Sequence, residues 1–83
     1  MEYKTKGVCA KHIYLDVEGG VIKTVSFEGG CQGNLVGLSR LVVGMKPTEA
    51  AETLKGIRCG PRSTSCPDQL ALALTDWMEQ QKV

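Results

Sequence analysis

Four cysteines carry the chemistry that this chain could do: Cys9, Cys31, Cys59 and Cys66. Twenty-one residues separate the first pair, twenty-seven the second and six the third, so the close-set knuckle of common zinc modules is absent. Their positions say more than their spacing. Cys9 opens a β-patterned run, and Cys31 lies in the glycine-rich run Gly29-Gly30-Cys31-Gln32-Gly33-Asn34. Cys66 falls at the start of a helical pattern. A helix start offers unpaired N–H groups and partial positive charge, both of which favour a thiolate, the form that binds metal. Gly30 and Gly33 would let the backbone approach a cofactor and donate N–H to sulfur. Cysteines that only fill a core belong on apolar stripes, and three of these four do not. The expectation is a single site holding zinc or an iron–sulfur cluster through all four cysteines. Four thiolates on a divalent ion carry a charge near −2, and Lys11, Arg58 and Arg62 lie close in sequence to offset it. His12 is a weaker ligand candidate, because a lone strand histidine is usually a surface or packed residue. A dithiol made by Cys59 and Cys66 is the redox alternative.

No catalytic grouping competes with this site. Asp16, Glu18, Asp68 and Asp76 show no pairing suited to acid–base work, and no nucleophile elbow, phosphate loop or dinucleotide fingerprint is present. A formal net charge of +1 gives no general attraction to nucleic acid or membrane. The start Met1-Glu2-Tyr3-Lys4-Thr5-Lys6 has no apolar signal core, and no apolar run approaches a membrane span. A cytoplasmic protein is expected, where cysteines serve more often as metal ligands or redox groups than as structural disulfides.

The elements that must position the cysteines are legible in outline. With 83 residues, of which 42% are hydrophobic and only four are Phe, Tyr or Trp, the chain makes one domain with an aliphatic core. A core this small gains from a staple such as a metal. Residues 9–17 read as a strand, with Cys9, Ile13, Leu15 and Val17 on one face and Ala10, His12, Tyr14 and Asp16 on the other. Gly19-Gly20 turns the chain into a second strand over 21–27, where Val21, Val25 and Phe27 alternate. A short strand around 2–5 would complete an antiparallel meander. A helix follows over 35–43, with Leu35, Leu38, Leu41 and Val42 as its apolar stripe and Gly44 as its stop. Pro47 suits the first turn of a second helix that buries Ala50, Ala51 and Leu54. Ser65 caps a third helix, with Asp68 in the reciprocal capping position and Leu70, Leu74, Trp77 and Met78 inward. The fold class expected is α+β, a small antiparallel sheet of two to three strands followed by three helices, all in a single domain spanning 1–83.

Two resemblances extend this reading. Thr64-Ser65-Cys66-Pro67-Asp68, with Gly30-Cys31-Gln32-Gly33-Asn34 and Ile57-Arg58-Cys59-Gly60, resembles the TSCPD domain family over nearly the whole chain. That family includes free-standing small proteins and the C-terminal extension of adenosylcobalamin-dependent ribonucleotide reductases. The resemblance implies a partner protein, a ribonucleotide reductase or iron–sulfur machinery. It does not imply an enzyme, since the chain has none of the barrel, radical-site or nucleotide-binding sequence a reductase needs. The order of elements is also similar to the NifU/IscU iron–sulfur scaffolds, whose three cluster-holding cysteines match Cys9, Cys31 and Cys66. Two other scaffold ligand positions, an aspartate and a histidine, are Lys11 and Ser65 here. The second resemblance implies an assembly scaffold or carrier as the alternative to a metal-holding module.

Overall fold

The computed structural model describes residues 1–30 and 32–81. Three strands come first: β1 (Glu2–Lys4), β2 (Ala10–Glu18) and β3 (Val21–Gly29). They pair antiparallel in the order β1-β2-β3, as a meander does. Three helices follow: α1 (Gln32–Val42), α2 (Pro47–Leu54) and α3 (Cys66–Gln80). The α+β expectation therefore holds, and the turn at Gly19-Gly20 takes positive φ at both glycines, as a tight two-residue hairpin demands.

The sheet departs from simple alternation at two places. Register shifts between Ala10 and His12, and between Asp16 and Val17, each insert a residue into the ladder. The first turns Ala10 into the core at 1% exposure and leaves Cys9 exposed, the reverse of the faces expected for both. The second brings Ile22 inward to complete exclusion from solvent. Ile13, Leu15, Ile22 and Val25 then form the sheet's share of the core.

The helices cover that face. α3 contributes Leu70, Ala71, Ala73 and Leu74, and α2 packs on it through Ala50, Ala51 and Leu54. Trp77 and Met78 are half-buried at the core's edge. Helix α1 packs on β3 through Leu35, Ser39 and Val42, a spacing of four and three that makes one narrow stripe. Leu41 lies off that stripe and is 76% exposed, so its place in the expected apolar face is corrected. The chain after α1 is tied to the sheet edge: Gly44 N–H donates to Ile22 O at 2.8 Å, and Ile22 N–H donates to Met45 O at 2.9 Å.

Candidate functional site

The residues of the signature pentapeptide build the local frame. Ser65, 3% exposed, caps α3 by accepting from Asp68 N–H at 3.1 Å, and its hydroxyl donates to Ile57 O at 2.6 Å. One serine thus fixes the helix start and holds the incoming loop against it. Asp68 does not reach back to the cap N–H as a reciprocal box would. Its carboxylate instead accepts from Gly56 N–H at 2.7 Å and from the Thr64 hydroxyl, clamping both ends of the 56–64 loop. Pro67 occupies the first turn, where a missing N–H costs nothing. Four of the five residues are spent on architecture, and Cys66 is the one left for chemistry.

The same frame reaches the segment that leads to Cys9. Gln69 is buried, donates to the Thr64 hydroxyl at 2.9 Å and accepts from Lys6 N–H at 3.1 Å. Gly7 takes φ +72°, and a Cβ there would stand 3.3 Å from the Thr64 methyl. The positive φ favours glycine here, and the chain passes close beside the pentapeptide. The Cys59 loop is a tight reversal in which Arg62 N–H donates to Cys59 O at 3.1 Å and Cys59 N–H donates to Thr64 O at 3.2 Å.

These constraints deliver three cysteines to one cavity of about 290 Å³. Cys9 arrives with Val8 from the segment before β2, Cys59 with Arg62 from the loop, and Cys66 with Ser65 and Pro67 from the head of α3. Asn34, Leu35 and Leu38 of α1 make the remaining wall. Cys9 and Cys59 are exposed and Cys66 is half-buried, and all three are free thiols. Among the described residues, no three Cys, His, Asp or Glu side chains stand close enough together to hold a metal ion as they lie. Cys31, the fourth expected ligand, lies outside the described residues.

A cation stands on the same wall. The Arg62 guanidinium donates from Nη1 to Cys9 Sγ at 3.7 Å. That bond, followed by the charge of Cys9 and then of Cys59 and Cys66, raises the Arg62 pKa above its ordinary value. Lys11, the nearest cation to Cys9 in sequence, is not part of the cavity's lining and is among the groups that lower the pKa of Glu28.

The two glycines expected to approach a cofactor take different places. Gly30 has φ +80°, and a Cβ there would fall 2.8 Å from Leu35 Cδ1 and 3.2 Å from Ala10 N, so its own chain needs the space. Gly33 lies in the first turn of α1, and a Cβ there would meet nothing within 4 Å. His12 sits on the solvent face of the sheet, with Nδ1 3.2 Å from Glu28 Oε2 and Nε2 3.5 Å from Glu2 Oε2. It is not part of the cysteine cavity's lining. Sequence reasoning missed Asn34 and Leu38 as cavity walls. Their spacing of four on α1 is the signal that places them on one side of that helix.

An α+β fold, a three-stranded meander followed by three helices, with a cavity lined by three cysteines defines the class. The chain belongs to the TSCPD domain family, which matches residues 1–78. Neither a curated protein nor a solved structure gives a significant match. Among the described residues, no helix is long and apolar enough to cross a membrane.

Proposed function

We propose that this chain is a metal-binding module that holds zinc or an iron–sulfur cluster through Cys9, Cys31, Cys59 and Cys66 and serves a partner protein in the cytoplasm. The observation that carries this reading is the common cavity. Cys9 and Cys66 are 57 positions apart, yet they line one opening with Cys59 between them in sequence. Thiolates are soft donors, and sites built only from them suit zinc and iron–sulfur centres. The fit of the residues is chemical as well as positional: among the described residues, no carboxylate lines the cavity, and the charged residue on its wall is a cation, Arg62. Cys9 and Cys59 are exposed, so their thiols turn toward an ion without displacing packed neighbours. A bound metal supplies a structural cross-link among the three segments. An all-thiolate site with no open position suits docking better than catalysis. The resemblance to reductase extensions makes a ribonucleotide reductase the first partner to try.

The exposure of Cys9 and Cys59 favours a second reading, a cluster scaffold or carrier, because exposed ligands exchange readily. Elemental analysis and visible absorption of protein purified without air test both. A tightly held zinc ion, or a cluster that survives gel filtration, supports the holding module. A cluster that passes to an acceptor within minutes supports the carrier. Protein that takes up neither metal nor cluster, with four thiols equally reactive before and after metal addition, overturns both.

A further inference from the structure

We propose that Arg62 is the counter-charge and positioning residue of the cysteine site, holding the Cys9 sulfur at the cavity and offsetting the negative charge of the loaded centre. The inference deepens the metal-holding reading and rests on it. Among the described residues, the hydrogen-bond partner of the Arg62 guanidinium is Cys9 Sγ, and no carboxylate pairs with it. This contact joins residues 53 positions apart and so ties the Cys59 loop to the segment before β2. The rest of the wall is largely apolar, through Val8, Leu35, Leu38 and Pro67. An apolar wall screens poorly, so thiolate charge gathered there requires a cation close by. Arginine remains protonated at every working pH, and its N–H groups can bond to sulfur while their charge acts on the whole centre. Lys6, Lys11 and Arg58 also lie near the cysteines in sequence, but none of them lines the cavity. Among the described residues, Arg62 is the cation that combines charge, sulfur contact and a place on the wall.

The test compares zinc release to a chromogenic chelator from the unmodified protein and from Arg62→Gln, Arg62→Lys, Arg62→Glu and Arg58→Gln. Loss of an exposed charge pair corresponds to roughly two- to fivefold. Arg62→Gln should release zinc faster by that factor, and Arg62→Glu faster still. Arg62→Lys should recover part of the difference, and Arg58→Gln should match the unmodified protein. Raising the salt concentration should narrow the gap, as a merely structural role would not require. In metal-free protein, NMR should show slowed rotation of the Arg62 guanidinium, set free by Cys9→Ala. Equal release from Arg62→Gln and unmodified protein overturns the inference and leaves the metal-holding reading standing. If zinc does not load at all, that reading falls. The NMR measurement then decides the Arg62–Cys9 pairing, and free rotation in both proteins overturns it.

Discussion

Single residues on the outer face of the sheet set a pH dependence separate from the cysteines. The Tyr14 hydroxyl donates to Glu28 at 2.8 Å, and that bond, aided by His12 and Lys11 against partial desolvation, holds the Glu28 carboxyl below its ordinary value. A depressed carboxyl contributes stability above its unfolded pKa, near 4.5, and loses it as pH falls through the lower folded value. The urea midpoint should therefore drop on acidification below about pH 4.5. Tyr14→Phe should make that drop shallower, since the largest cause of the shift is gone. Parallel acid limbs in the two proteins would show that the bond does not form in solution. The same bond, with burial and the charges of Glu28 and Glu2, raises the Tyr14 pKa, so its contribution persists below pH 10 and fades only above it. This cluster was not legible in the sequence. Glu28 and His12 are 16 positions apart, and only the strand register brings them together.

At the scale of elements, α3 and its cap decide whether Cys66 is presented. Ser65→Ala removes both the cap and the bond to Ile57 O from a buried position. It should cost about 1–3 kcal/mol in thermal or urea unfolding. Leu41→Gln, on the solvent side of α1, should stay within about 0.5 kcal/mol of the original. A Leu41 change as large as the Ser65 change would mean that α1 packs on its other side. The contrast also shows what the sequence could and could not tell. The cap was legible because a serine with an acid three residues on, ahead of an apolar helical pattern, is a local signal. The order of the six elements was legible for the same reason. The apolar face of α1 was legible in Leu35, Leu38 and Val42, whereas Leu41 and Ser39 exchange the places their polarity suggests. Packing on β3 turned Leu41 outward and buried Ser39, whose hydroxyl donates to Leu35 O. The two register shifts were equally hidden, since a bulge is a property of the pair of strands. The first of them is why Cys9 faces the cavity side by side with Arg62 rather than the core.

At the scale of the whole molecule, the cysteine cavity lies beside the aliphatic core and meets it at Leu38. The core joins β2, β3, α2, α3 and the end of α1 at Val42, whereas the cavity gathers the segment before β2, the 59–64 loop, the head of α3 and the Asn34–Leu38 part of α1. Side-chain hydrogen bonds of Gln69, Asp68 and Arg62 tie the segment before β2, the 56–64 loop and the head of α3 to one another. A domain of 83 residues has little surplus stability. A ligand that binds only the folded form adds about 2.7 kcal/mol when present at a hundredfold its dissociation constant. In a domain of this size each kcal/mol moves the thermal midpoint by roughly 4–8 °C. Zinc loading, or cluster assembly without air, should therefore raise the midpoint by about 10–20 °C, and chelation should reverse the gain. Cys66→Ser should abolish most of that gain while leaving the metal-free midpoint nearly unchanged, because the half-buried thiol makes little of the core. Cys59→Ser should act likewise from its exposed position. If instead the serine variants lower the metal-free midpoint as far as they lower that of metal-treated protein, the cysteines contribute packing alone. The cavity they line would then have no ion to close it.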